Sequence, residues 1–246
     1  PVPKAKPKTE SPTSAEPKPE PKKPGKTDYL SDRTVEGQQE FLNDFITKIN
    51  ANIDKGIIEV RGIKEAGENE KAMTTDTHGD LMSVMGAAAM CGVKFKKDDF
   101  LYYDREEGIY YEKVGDEYYK YTPPYEGKKN RKEKLEGELK KENIILVPIP
   151  DTANARELYH LGDVLDRGQE SLTSLLLCEI CPNIKLAQGN HEFEHIINIK
   201  YGYKKELPSI ELVLARMKHN GRINAGYYDG KGDNVISYSH TPLLED

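Results

Sequence analysis

The sequence predicts an α/β fold, on three observations. Short apolar or β-branched runs alternate with apolar stripes at three- and four-residue spacing. Four polar motifs each follow directly on such a run: Asp76-Thr77-His78-Gly79-Asp80, then Gly162-Asp163-Val164-Leu165-Asp166-Arg167-Gly168, then Gly189-Asn190-His191-Glu192, then Ser239-His240-Thr241-Pro242. Ligand chemistry in such folds gathers just beyond the carboxyl ends of strands. Between the first two motifs lies a Tyr-rich stretch of different character, which reads as an inserted β-meander.

The elements follow in chain order. Residues 1–28 hold eight prolines among Lys, Glu, Ser and Thr, too little apolar surface to offset ordering entropy. They are expected to form a disordered, PPII-biased linker, leaving 29–246 as the folded domain. From about Thr34, Phe41, Leu42, Phe45, Ile46, Ile49 and Ile53 form one helical stripe that closes at Asp54-Lys55-Gly56. Ile57 to Val60 reads as a short strand and Glu65 to Glu70 as a polar loop. Lys71 to Thr75 reads as the strand feeding Asp76. Leu81 to Cys91 follows as a small-residue helix stopped by Gly92.

Tyr pairs at 102–103, 110–111 and 118–119 repeat every eight residues, with Gly108 and Gly115 in the gaps. Strand, turn, strand, turn, strand is the simplest reading. Eight of the fifteen tyrosines lie between Phe95 and Tyr125. They serve β-propensity and an amphipathic surface, an aromatic wall beside the active site, or a docking surface for a protein partner. Gly127 to Asn143 is charged and reads as an exposed helix, and Ile144 to Ile149 as a buried strand. Glu157 to His160, then Asn183 to Ala187, read as strands, with a Leu-rich helix over Glu170 to Ile180 between them. Pro208 to His219 reads as a helix, with Pro near its start and Gly221 past its end. Ile223 to Tyr228 and Val235 to Ser239 form a hairpin around Asp229 to Asp233, which delivers His240.

Composition narrows the class. Apolar residues make up 36% and charged residues 32% of the 246-residue chain, with no apolar run of 18, so no membrane span is expected. Residues 1–26 carry seven Lys and three Glu, a net +4, against −6 for the whole, which leaves −10 on the remainder. An acidic body argues against nucleic acid as the partner. The basic tail is a solvated linker or a contact to an anionic surface. Three cysteines give no disulfide framework, which suits a reducing compartment. The lone CxxC of Cys178 and Cys181 reads as two small apolar residues at the end of a buried helix rather than a zinc site.

The motifs carry the chemistry. Alternation along a strand aims Asp76 and His78 the same way, which sets a hard oxygen ligand beside an imidazole. In the order TDTHGD, GDVLDRG, GNHEF and SHTPL, the chain resembles the calcineurin-like metallophosphoesterases, and more narrowly the phosphoprotein phosphatase family of Ser/Thr phosphatases. The likeness covers roughly residues 70 to 242. It implies the calcineurin-like fold, a central β-sandwich flanked by helices, here carrying the inserted β-meander plus helix at about 94–150.

It also implies a phosphomonoesterase that uses two metal ions. Phosphate-ester hydrolysis needs a hydroxide at neutral pH and positive charge around the departing group. Two cations about 3.5–4 Å apart, sharing a bridging hydroxide, supply both. Asp163 is the expected bridging carboxylate. Asp76 and His78 complete the first metal with it, and Asn190 and His240 hold the second. Mixed oxygen and nitrogen ligation suits Mn, Fe or Zn. The resemblance makes His191 the acid that protonates the leaving oxygen and Asp166 the group that orients it. Arg167, with Asn190 and His191, would bind the substrate phosphate. Asp80 is read as local structure, Glu192 as a hydrogen-bond acceptor for backbone behind the site, and His160, His195 and His219 as structural.

Four departures from the family pattern stand out. Thr75 replaces the Gly before the first Asp. Gln188 replaces the Arg that eukaryotic-type members carry before GNHE, as in divergent bacterial members that include phosphotyrosine-directed effectors. The expected compartment is the cytoplasm or, after translocation, a host cytosol. Asp76 and Asp163 are 87 residues apart where the family uses a short βα unit, so the insertion is expected to overhang or flank the cleft. The chain stops six residues after His240, before the family's further His ligand, which suggests a chain cut short. The expected substrate is a phosphoprotein, Ser/Thr or Tyr. A dinucleoside tetraphosphatase is the rival enzyme reading, opposed by Asp166 and Glu192. A catalytically impaired scaffold binding partners through the Tyr-rich insertion is the non-enzymatic one.

Overall fold

The computed structural model describes residues 30, 32–62, 71–123, 133–201, 208–231 and 234–240. The linker at 1–28 and the loop at 65–70 lie outside them. Helix α1 (Val35–Asp54) begins where its stripe predicts, and the Thr34 hydroxyl caps it by accepting the Gly37 amide at 3.1 Å. Its buried face runs Gln38, Leu42, Ile46 and Ile49. Residues Ile57 to Val60 do not form the expected strand. The Ile57 and Ile58 amides both return to the Asn52 carbonyl, so the helix terminus uses the donors a sheet would need.

Four parallel strands form one sheet in the order β1 (Ala72–Thr74), β6 (Leu158–His160), β7 (Ile184–Ala187), β8 (Ile223–Asn224). Helix α2 (Leu81–Met90) follows β1. Asp80 is its N-cap, with Oδ1 accepting the Ser83 amide, and Gly92 at φ 92° lies just past its end. Helix α3 (Ser171–Ile180) links β6 to β7 and is buried all round. It packs on β7 on one side and on β5 (Ile144–Pro148) on the other. Cys178 and Cys181 are buried and unpaired at its end. There the Arg222 guanidinium donates to the carbonyls of Cys178, Cys181 and Ile184 at 2.6–3.1 Å, where the helix leaves carbonyls without intrahelical partners.

The Tyr-rich stretch is an antiparallel meander: β2 (Phe100–Asp104), β3 (Ile109–Val114) and β4 (Glu117–Tyr121), with β5 closing the sheet beside β2 in the order β4-β3-β2-β5. Its tyrosines occupy both faces: the cross-strand register puts Tyr103, Tyr110, Tyr119 and Tyr121 on one and Tyr102, Tyr111 and Tyr118 on the other. Tyr103, Tyr110 and Tyr111 are buried, whereas Tyr102, Tyr118, Tyr119 and Tyr121 are half-buried. Tyr110 donates to Glu179 of α3 at 2.6 Å. Glu179 in turn takes two bonds of 2.6 Å from Arg216 of α5 (Pro208–His219). The insertion therefore shares one core with the parallel sheet and is keyed to it by a fully buried carboxylate.

The expected helix over Gly127 to Asn143 is absent in its described part, 133–143. Glu133 and Leu135 exchange backbone bonds with Lys120 and Tyr118 along the free edge of β4, Gly137 turns the chain at φ 106°, and only Lys141–Asn143 is helical, as a 3-10 turn. Leu135 and Leu139 alone make too narrow an apolar stripe to hold a helix against an open sheet edge. Helix α4 (Asn190–Tyr201) was not anticipated. The strand expected over Ile223 to Tyr228 splits into β8, which joins the parallel sheet, and β9 (Tyr227–Lys231). β9 pairs with β10 (Asn234–Tyr238), leaving only residues 232–233 between them. No described helix is long and apolar enough to cross a membrane.

Gln38 shows how α1 is fixed. Its amide donates to the Ile144 carbonyl at 2.8 Å and accepts from the Leu146 amide at 2.9 Å, imitating a strand on the outer edge of β5. Gln38→Leu leaves both groups without partners in a dry interface. We expect it to cost about 2–4 kcal/mol, read as a lowered urea midpoint at unchanged slope. A loss under ~1 kcal/mol would show that the edge finds other partners.

Candidate active site

The strand ends are stitched together by backbone. The Asp76 amide bonds the Gly162 carbonyl at 3.1 Å, His78 the Asp163 carbonyl at 2.9 Å, and Gly79 the Val164 carbonyl at 2.6 Å. The loop after β1 thus lies along the loop after β6. Two glycines make the third loop fit. Gly162 holds φ 110° with its Cα face against the Gly189 backbone, and a Cβ on Gly189 would strike the amide and carboxylate of Asp163. Five motif residues that are not glycine also sit at positive φ: Asp76 (52°), His78 (46°), Asp163 (56°), Asp166 (65°) and Arg167 (61°). Such backbone costs energy and persists where surrounding contacts over-determine it, commonly at functional sites.

Much of that holding comes from Glu192. Its carboxylate, fully buried, accepts the amides of Asp163 (2.8 Å), Val164 (2.9 Å), Leu165 (3.1 Å) and Gly189 (2.9 Å). Glu192 lies in the first turn of α4, where negative charge is favoured.

On this frame the expected donors converge. Asp163 Oδ2 lies 3.3 Å from His240 Nε2 and 4.0 Å from His191 Nε2, and its Oδ1 accepts the His191 amide at 3.2 Å. Asn190 Oδ1 lies 3.1 Å from the same His240 nitrogen, and Asp76 Oδ1 3.7 Å from His78 Nε2. Two donor groups, His78-Asp163-His191 and Asp76-Asp163-His240, each bring their ligand atoms within 4.8 Å of one another, and both include Asp163. His78 Nδ1 lies 3.3 Å from the Leu165 carbonyl, so that nitrogen carries the proton and the Nε2 lone pair faces the site. The set of carboxylates, imidazoles and one amide oxygen fits a divalent transition metal. Asp76, Asn190 and Arg167 are exposed at the rim, with Arg167 Nη1 3.5 Å from His78 Nε2. Thr75, replacing the expected Gly, donates to Asp76 Oδ2 at 2.7 Å. Lys218 Nζ stands 3.3 Å from Gln188 Oε1, which puts a cation beside the position of the missing Arg.

Behind the donors, His191 Nδ1 contacts Asp166 Oδ2 at 2.9 Å, which leaves Nε2 facing Asp163. Asp166 has a second imidazole on its other oxygen: His195 Nε2 lies 3.3 Å from Oδ1. The hydrogen bond from His195, and that from His191, hold the Asp166 carboxyl down to about 2, and Asp166 in turn raises the His195 imidazole. By sequence alone His195 reads as structural. The signal was present, because His191 and His195 are four apart and share a helix face once α4 is recognised. His160 is buried against the Thr77 hydroxyl (3.0 Å) and the Gly162 amide (3.3 Å), and desolvation lowers it to about 4.

Two outcomes follow from these contacts. Glu192→Gln replaces an acceptor oxygen with a donor amide against backbone N–H groups, and should cost at least ~3 kcal/mol by chemical denaturation; an unchanged midpoint would remove Glu192 from its role. His160 stays neutral in the fold down to about 4, while in the unfolded chain it protonates near its ordinary value of 6.5. Stability should therefore fall as pH drops from about 6.5 to about 4, by up to ~3 kcal/mol. His160→Asn should flatten that slope when midpoints are compared across pH.

The family model for calcineurin-like phosphoesterases matches residues 72–243. No curated protein and no solved structure matches the chain. The matched span contains β1 through β10 and all the converging donors, and a parallel sheet joined to an antiparallel one is consistent with that family's fold. On this match over most of its length, the chain belongs to the calcineurin-like phosphoesterase family, whose members hydrolyse phosphoesters with divalent metal ions.

Proposed function

We propose that the chain is a protein phosphatase with a two-metal centre. The observation that carries this reading is the sharing of Asp163 by two donor groups while the His191–Asp166 pair faces the same carboxylate. By the family pattern Asp76, His78 and Asp163 would hold one cation, and Asp163, Asn190 and His240 the other; as the side chains stand, His78 groups with His191 and Asp76 with His240 around the same Asp163. Bound there, the cations would supply a nucleophilic hydroxide at neutral pH and positive charge for the phosphate oxygens.

The chain's own residues do the rest. Exposed Arg167 presents a planar fork of donors to phosphate oxygens at the rim, and Asn190 and His191 flank the same opening. As the P–O ester bond breaks, His191 Nε2 gives its proton to the leaving oxygen. The Asp166 carboxylate on Nδ1 keeps the ring in the orientation this requires. The presence of Asp166 and Glu192 in DRG and GNHE supports a phosphoprotein over a dinucleoside polyphosphate, with phosphoserine, phosphothreonine and phosphotyrosine all admissible.

The protein loaded with manganese should bind metal stoichiometrically and hydrolyse p-nitrophenyl phosphate and phosphopeptides. His191→Ala should retain metal and lose about 100-fold or more in kcat on phosphopeptides. A metal-free protein, or a loaded one with no turnover, would sink this reading.

A further inference from the structure

Asp166 sits between two imidazoles carried on the same face of α4. His191 Nδ1 meets Oδ2 at 2.9 Å and His195 Nε2 meets Oδ1 at 3.3 Å. Among the described residues these are the two side-chain partners of the carboxylate, whose own amide is held by the Ser171 hydroxyl at 3.1 Å. The carboxylate is one-third exposed, and rotation about χ2 is soft in Asp. One hydrogen bond alone would leave it free to swing toward water.

We propose that His195 is a positioning residue for this reaction: by donating to Oδ1 it locks the Asp166 carboxylate with Oδ2 aimed at His191. The assignment rests on the phosphatase reading above. The surroundings of His195 suit a donor. Besides Asp166, two further carboxylates act on it: Glu211 of α5, buried with Oε2 lacking a hydrogen-bond partner, and Glu192. All three favour the imidazolium, which donates from both nitrogens.

Leaving-group dependence separates positioning from mere packing. A general acid matters most for a poor leaving group, so phenyl phosphate should feel its misplacement more than p-nitrophenyl phosphate. In the manganese-loaded protein, His195→Leu should lower kcat about 10-fold on phenyl phosphate and under ~3-fold on p-nitrophenyl phosphate, with KM unchanged. His195→Gln, which keeps an N–H donor, should stay within ~3-fold of wild type on both. In an Asp166→Asn background, His195→Leu should cost less than ~2-fold more. In the metal-free protein, exchange of the His191 Nδ1 proton with water, read by NMR, should quicken in His195→Leu. Equal losses on the two esters, a full loss in the Asp166→Asn background, or unchanged proton exchange would overturn the assignment. A wild-type chain that turns over neither ester overturns the phosphatase reading instead, and the proton exchange still decides whether His195 holds Asp166.

Discussion

One carboxylate holds the site in shape. Glu192 accepts four backbone amides, three from the loop after β6 and one from the loop after β7. Those loops carry Asp163, Asp166 and Arg167 at positive φ, a conformation that a loop with free amides would readily leave. The loop after β1 has, among the described residues, no buried carboxylate that gathers its amides in this way. It borrows order through backbone bonds from Asp76, His78 and Gly79 to residues that Glu192 has already fixed. The functional side chains thus need little packing from their own atoms, and Asp76, Asn190 and Arg167 can stand exposed.

The site was more legible in the sequence than the fold around it. Asp76, His78, Asp163, Asn190, His191 and His240 occur in short motifs whose residue types are dictated by chemistry, and each motif follows a strand, so their convergence could be read in advance. The glycines at 162 and 189 were visible too, because nothing larger fits between the loops. What stayed hidden depended on contacts between distant segments. Gln38 occupies a core-facing position of α1 for the sake of an edge strand more than 100 residues away. The charged stretch before Asn143 has helical composition, yet an unpaired edge on β4 claims its backbone. His195 could not be placed without α4, whose apolar residues are too few to announce a helix; its start is set by the Gly189-Asn190 turn and the Glu192 anchor.

The segment between the first two motifs is an insertion in sequence and part of the core in space. α3 is buried on every side because a sheet lies on each of its flanks: the parallel one through β7, the Tyr-rich one through β5. A helix so placed has no exposed face, and Ser171–Ile180 is apolar apart from three small hydroxyl residues, Ser171, Thr173 and Ser174, and one carboxylate. That carboxylate, Glu179, is fully buried and matched by Tyr110 and by both arms of Arg216, which also donates to the Gly108 carbonyl at 2.5 Å. A buried ion of this kind is tolerable only with its partners in place.

That triangle of Tyr110, Glu179 and Arg216 bears on how such a chain can diverge. The meander is not a decoration that could be trimmed to recover a smaller ancestor-like enzyme. Excising it would remove the phenol and the carbonyl that complete the Arg216–Glu179 pair, and would open one whole flank of α3 to water. The exposed turn at Gly115 and Asp116 can therefore change at little cost, while the sheet face that carries Tyr103 and Tyr110 is held by its packing against the Glu179–Arg216 pair.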